Sequence, residues 1–152
     1  MTATAHALVG GAIAASVANP AIGLPLAAFS HPLLDMIPHW DFGVGWQKKT
    51  KTRMILQCIF DLSIGIVLAY LFFGRNTDLT YFFGAILLSV SWDILMMPYI
   101  ILKKKLQPFY LFYKFGSETN KNVRLPWGIL TQVGTVAAIL LFLHIAQSLY
   151  QP

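Results

Sequence analysis

Long apolar runs alternate with short polar segments along this chain. Three runs, at residues 52–73, 79–102 and 127–149, are each long enough to cross a bilayer, which takes about 20 apolar residues in a helix. Two shorter runs precede them, at residues 4–18 and 20–37. The pattern predicts an all-α integral membrane protein, a single domain over residues 1–152, built as a bundle of about five transmembrane helices.

The first two runs leave two interpretations open. Only the turn signal Asn19-Pro20 separates them, and the second run also contains Pro25 and Pro32. They are either two short spans or one re-entrant hairpin. Helices that are short or broken by proline are tolerated at membrane depth where they are buried in protein or line a polar cavity. This region is therefore expected to border a site.

Composition and charge support a membrane location. Hydrophobic residues make up 57% of the chain and charged residues 11%, with a mean hydropathy of +0.63, whereas about a quarter of the residues in soluble domains are charged. Ten of the eleven Lys and Arg residues lie in or beside two alternate loops, and Arg75 is the exception. The positive-inside rule places those loops and the N-terminus in the cytoplasm. The basic pI is thereby explained, and no nucleic-acid partner is expected.

The single cysteine, Cys58, lies inside the third run. One cysteine cannot form an intramolecular disulfide. We expect its thiol to be a small buried hydrophobe.

Carboxylates and imidazoles concentrate at one membrane face. Asp61 and Asp93 both lie roughly 12 Å from the loop end of their helices, at 1.5 Å per residue. An ionised Asp at such depth costs at least about 2.5 to 3.5 kcal/mol, so a bound cation is expected. Imidazole and carboxylate without thiolate suit Zn, Mn or Fe better than Ca or Mg, and zinc is the first choice. The same leaflet receives His6, His31, Asp35, His39 and Asp41.

Two short motifs carry a family resemblance. The opening Thr2-Ala3-Thr4-Ala5-His6, followed by a small-residue helix, and the later Ser30-His31-x-x-x-Asp35-x-x-Pro38 are similar to motifs of a family of small bacterial inner-membrane proteins regarded as metal-dependent hydrolases. The resemblance spans residues 1–41. It implies that His6, His31 and Asp35 are metal ligands.

The ligand types and their location predict a hydrolase that acts on an ester or phosphoester of a lipid-like substrate at the cytoplasmic interface. A divalent metal would be held by His6, His31, Asp35 and one or both of Asp61 and Asp93, while His39 or Asp41 would serve as general base. Intramembrane Asp and His groups also occur in cation or proton transporters. The third interpretation is a non-catalytic scaffold with a structural metal.

A basic and aromatic segment follows the fourth run. Lys103, Lys104 and Lys105 precede a stretch rich in Phe and Tyr, which predicts a segment lying among the headgroups of the anionic leaflet. Membrane lipids are thus expected partners, and topological anchoring is the simpler role for these lysines. Gly10 and Gly11 favour close helix packing within one chain or between chains, so the oligomeric state stays open.

Overall fold

The computed structural model describes residues 1–150 and confirms the all-helical fold, with no strand in the described part of the chain. Three of its helices are long and apolar enough to cross a membrane, which indicates a membrane protein. The six helices are α1 (Ala3–Ser16), α2 (Pro20–Asp35), α3 (Lys51–Phe73), α4 (Leu79–Leu102), α5 (Phe109–Thr119) and α6 (Trp127–Tyr150). The three long apolar helices are α3, α4 and α6.

Side-chain caps begin the first four helices. Asn19 Oδ1 accepts a hydrogen bond of 2.9 Å from Ala21 N, and Asp78 Oδ1 accepts one of 2.8 Å from Tyr81 N. Thr2 and Thr50 cap α1 and α3 in the same way. Each cap pairs a backbone N–H that a helix start leaves without an intrahelical partner.

The first two helices are short and form a hairpin. With 14 and 16 residues, they extend about 21 and 24 Å, less than the roughly 30 Å of a hydrocarbon core. Pro25 and Pro32 lie inside α2 without ending it. A five-span bundle is therefore not confirmed, and three helices are long and apolar enough to span a membrane.

Helix α1 is the centre of the bundle, packed against α2, α3, α4 and α6. Small residues permit this close packing. A Cβ added at Gly10 would lie 2.8 Å from Ser89 Cβ, and one added at Gly65 would lie 2.7 Å from Thr4 Cα. Because these approaches are closer than a methyl group allows, the helices are in near backbone contact at both positions.

The outward faces of the spanning helices carry large exposed apolar side chains, among them Phe60, Phe72 and Phe142. Such a surface suits lipid rather than water. Cys58 is also exposed, so the prediction of a buried thiol is wrong. The reason is that α3 packs chiefly on α1 and leaves its other faces uncovered.

The two lysine-rich loops meet at one end of the bundle, called here the basic end. They comprise residues 36–50 and 103–126, and the second contains α5. His39 N donates to the Lys121 carbonyl at 3.0 Å, and Val123 N donates to the His39 carbonyl at 2.7 Å. This backbone pairing holds the segment after α2 against the segment after α5.

Candidate metal and acid–base site

Asp35, the last residue of α2, lies at the centre of a buried group of imidazoles. Its Oδ1 is 3.2 Å from His6 Nε2 on α1, and its Oδ2 is 3.3 Å from His31 Nε2, one turn earlier on α2. His39 Nε2 lies 3.8 Å from Oδ1. The backbone nitrogen of Met1 also contacts Oδ1. One carboxylate thus joins α1, α2 and the loop that follows.

The imidazoles of His6 and His31 stack, with ring centroids 3.8 Å apart and planes within 9° of parallel. Asp93 of α4 approaches the pair, with Oδ1 3.7 Å from His31 Nε2. His6, His31 and Asp93 each offer one ligand atom, and these atoms lie within 4.8 Å of one another. These three residues form a group that could hold a metal ion.

We refer to these residues, together with Asp41, whose Oδ2 lies 3.3 Å from His39 Nε2, as the His/Asp cluster. It comprises His6, His31, Asp35, His39, Asp41 and Asp93. Six of the seven residues predicted from the sequence to form the site are therefore brought together.

Backbone carbonyls orient two of the rings. Nδ1 of His31 lies 2.7 Å from the Ser89 carbonyl, and Nδ1 of His39 lies 2.7 Å from the Ile37 carbonyl. A carbonyl only accepts, so each Nδ1 carries a proton and each neutral ring presents a lone pair on Nε2. Histidines that bind metals commonly donate their other ring N–H in this way.

Three buried imidazole nitrogens, His6 Nδ1, His31 Nε2 and His39 Nε2, have no hydrogen-bond partner within residues 1–150. Carboxylate oxygens lie 3.3 Å from the two Nε2 atoms, but not in hydrogen-bonding positions. Nitrogen lone pairs and carboxylate oxygens that converge without a proton between them repel each other. A cation relieves that repulsion.

Protonation of His31 and His39 at Nε2 would also relieve it, by pairing each imidazolium with a carboxylate. The stacked contact of His6 and His31 leaves room for a charge on only one of these two rings, because two imidazolium charges would lie face to face in a buried site. The neutral rings already have one N–H each satisfied, by Asp35 for His6 and by Ser89 for His31. The donor set therefore fits a divalent cation.

His39 and Asp41 form a second, polar part of the cluster. His39 Nε2 lies 3.3 Å from Asp41 Oδ2, and Asn120 Nδ2 donates to the same oxygen at 3.2 Å. Burial alone would raise the pKa of Asp41, but a His39 ring protonated at Nε2, the Met1 amino group and the Asn120 amide outweigh it and hold that pKa below its usual range. An ionised Asp41 stabilises positive charge on His39, so the two can act as an acid–base pair.

Asp61 has a different set of contacts. Its carboxylate accepts hydrogen bonds from Ala3 N at 2.7 Å, from Thr4 N at 3.1 Å and from Thr4 Oγ1 at 2.7 Å. These donors are the first turn of α1, where backbone N–H groups lack intrahelical partners. Asp61 therefore fixes the start of the helix that carries His6.

Sequence reasoning missed three residues that support the site. Ser89 accepts from His31 through its carbonyl and donates through its hydroxyl to the His6 carbonyl at 2.6 Å. Gln132 of α6 holds the start of α1 by exchanging hydrogen bonds with Thr2. Asn120 binds Asp41. Short polar residues of this kind are ordinary in helices and loops, and no spacing distinguishes them.

The buried polar groups lie mostly towards one end of the bundle. Within the described residues, most of them lie on or near the basic end, and Ser89 lies close to the middle of α4. Beyond His6, the buried positions of α1 are apolar or glycine up to Ala14. The buried polar residues are Thr2, His6, His31, Asp35, His39, Asp41, Asp61, Ser89 and Gln132.

A cavity of about 340 Å³ adjoins the cluster. Asp41 and Asp93 belong both to the cluster and to the cavity wall. The side chain of Asp93 is 38% exposed, and the cavity is the space it faces. A small molecule in the cavity would thus reach two carboxylates of the cluster.

Comparisons with protein-family models, with curated proteins and with solved structures found no match for this chain. The resemblance of the two N-terminal motifs to a hydrolase family stays a prediction from the sequence. What the chain does has to be argued from the geometry of its own site.

Proposed function

We propose that the protein is a membrane-embedded, metal-dependent hydrolase acting on an ester or phosphoester of a lipid-like substrate at the basic end of the bundle. The observation that carries the proposal is the set of three buried imidazole nitrogens without a hydrogen-bond partner in the described chain. Buried polar atoms are normally paired. Here the Nε2 atoms of His31 and His39 lie 3.3 Å from carboxylate oxygens, as metal ligands do.

The metal is held by His6, His31 and Asp93, with Oδ2 of Asp35 as a further oxygen ligand. Oδ1 of Asp35 takes the Nε2 proton of His6, which leaves Nδ1 of that ring for the metal. Zinc is the first choice because the donors are imidazole and carboxylate. When bound, the metal supplies Lewis acidity that polarises the ester and makes water a better nucleophile.

His39 is the general base. Its Nδ1 proton is held by the Ile37 carbonyl, so Nε2 accepts a proton from the attacking water. Asp41, 3.3 Å from that nitrogen, stabilises the imidazolium that results. The water oxygen bonds to the carbonyl carbon or phosphorus, the ester bond to the alcohol oxygen breaks, and His39 returns the proton to the departing alcohol.

The orientation follows from the two lysine-rich loops. We place the basic end in the cytoplasm and the protein in the inner membrane, because loops rich in Lys and Arg stay on the cytoplasmic side. Lys103, Lys104 and Lys105 then face the anionic leaflet and are suited to bind lipid headgroups.

A one-sided site favours hydrolysis over transport. A transporter needs polar groups that continue towards the other face, and the buried positions of α1 beyond His6 are apolar or glycine up to Ala14. A scaffold with a structural metal needs no acid–base pair, and His39 with Asp41 provides one. These contacts support the hydrolase. If the test below fails, the transporter or the scaffold replaces it as the proposed function.

The test is elemental analysis of protein purified without added metal, followed by turnover assays on phospholipids and isoprenoid phosphates. We expect bound metal in the wild type, its loss in His31→Ala, and its retention in the control His144→Ala, which alters an exposed residue of α6. Chelation and Asp35→Asn should abolish turnover with the bundle still folded. Metal-free activity, or cation flux in liposomes without hydrolysis, would overturn the proposal.

A further inference from the structure

The cavity beside the cluster has mostly apolar walls. It lies between α3 and α4, which both pack against α1, and residues of α5 and of the two lysine-rich loops complete its wall. Leu62 and Met54 line it from α3, and Val90, Ile94 and Met97 line it from α4. Its volume of about 340 Å³ is at the lower end of the 300–1,000 Å³ typical of small-molecule sites.

Flexible side chains are concentrated here. Four of the five methionines of the chain, Met1, Met54, Met96 and Met97, border the cavity. Methionine is unbranched and adapts its shape to irregular apolar ligands. Walls of this kind suit a hydrocarbon chain better than a rigid polar molecule.

Part of the cavity wall is exposed on the outer sides of α3 and α4, and part is exposed at the basic end, where Gly43, Ser117 and Asn122 line it. Ile94 lines it and is 46% exposed, and Cys58 lines it from α3 and is exposed as well. Both residues lie within helices that are long and apolar enough to span a membrane. Cys58 is about 10 Å from the start of α3 at 1.5 Å per residue. A side opening at this depth faces acyl chains rather than water.

The polar part of the wall is suited to a headgroup. Asp41 and Asp93 of the cluster line this part of the wall together with Asp61, and Gln57 adds an amide. Lys49 Nζ donates to Gln57 Oε1 at 3.1 Å, which places a cation beside the same wall. A phosphate or carboxylate ester would meet this cation and the bound metal together.

We infer that this cavity holds one hydrocarbon chain of an amphiphilic substrate, which enters sideways from the bilayer between α3 and α4 with its ester group against Asp41 and Asp93. The inference rests on the proposed function and narrows its substrate class to a membrane amphiphile with one chain in the protein. A volume of about 340 Å³ suits one chain in the protein.

The test uses the full chain in lipid nanodiscs with an alkyl phosphate that carries a photoreactive diazirine in the middle of its chain. We expect crosslinks on cavity-lining residues of α3 and α4, and we expect excess unlabelled alkyl phosphate to abolish them. Cys58→Trp fills the cavity and should lower crosslinking about tenfold. The control is Ile59→Trp, on the next residue, which is 57% exposed and does not line the cavity.

Helical content by circular dichroism is measured in every variant as the check on folding, and Met97→Trp replaces Cys58→Trp if the latter fails to fold. Crosslinks spread over the outer helix faces, without competition, would overturn the inference. Equal crosslinking in Cys58→Trp and Ile59→Trp would do the same. Competed cavity crosslinks without any turnover would uphold the chain site and remove the hydrolase. Turnover of a short water-soluble ester, together with crosslinks that unlabelled alkyl phosphate does not reduce, would uphold the hydrolase and remove the chain site.

Discussion

The hydroxyl of Ser89 donates a hydrogen bond of 2.6 Å to the backbone carbonyl of His6. The carbonyl of the same serine accepts from Nδ1 of His31 at 2.7 Å. One residue of α4 therefore positions two imidazoles that come from two other helices. Partners of this kind determine how well ligands are held, even though they do not touch the metal.

Ser89→Ala removes the hydroxyl and keeps both the carbonyl and the Cβ that packs near Gly10. We expect a loss of about 1 kcal/mol in stability and metal affinity weakened by up to about tenfold. Thermal unfolding and metal titration measure the two effects. Ser91→Ala is the matched control, because the Ser91 hydroxyl bonds only within its own helix, to the Leu88 carbonyl. Equal effects of the two substitutions would contradict the positioning role.

Asp61→Asn and Asp93→Asn should separate helix capping from metal binding. In Asp61→Asn an NH₂ group replaces one acceptor opposite the N–H donors of α1, at a cost of about 1–3 kcal/mol. We expect lower thermal stability with the metal retained. Asp93→Asn should lose metal with little change in stability, since its side chain faces the cavity. Loss of metal from folded Asp61→Asn would make Asp61 a ligand.

Gly10→Ala tests the close approach of α1 and α4. The new methyl would lie 2.8 Å from Ser89 Cβ and 3.0 Å from the Ala85 carbonyl oxygen. The helices must move apart, which costs roughly 1–3 kcal/mol. Gly134→Ala is the control, because a Cβ there meets nothing within 4 Å. Thermal unfolding in detergent compares the two, and an equal stability of both variants would refute the backbone contact.

The orientation of the basic end is tested with cysteines introduced in a Cys58→Ser background. Lys48→Cys and Lys104→Cys alter exposed residues in the two lysine-rich loops. We expect a membrane-impermeant maleimide to label neither in sealed cells and both after permeabilisation. Arg75→Cys, in the connection between α3 and α4, should be labelled in sealed cells. Labelling of position 48 or 104 from outside would falsify the cytoplasmic orientation.

The bounds of the long helices could be predicted closely because two independent signals agree: the length of the apolar run and, for α4, the capping residue before it. The three long apolar runs match α3, α4 and α6 to within a residue at each end, and Asp78 caps α4 as its position before the run suggests. The interfacial segment after Lys105 forms α5, whose 11 residues are too few for apolar length to define. Length identifies spans and says little about short surface helices.

The candidate site could be predicted only in part, because depth along a helix does not fix the direction of a side chain. His31 and Asp35 are four residues apart on α2, and helix geometry puts them on one face. Asp61 and Asp93 share a depth, yet the first contacts the start of α1 and the second approaches His31. Asn120 reaches Asp41 through pairing of distant loops, which leaves no periodic signal in the sequence.

The pairing of residue 39 with residues 121–123 also sets an order for biosynthesis. His6, His31 and Asp93 have all been synthesised by the end of α4, so a nascent chain carries its candidate metal ligands early. The backbone partners of His39, and the amide that holds Asp41, emerge only after α5. Until then the proposed general base lacks these contacts. Under the proposed function, a growing chain would be able to take up metal before it could attack the membrane into which it is being inserted.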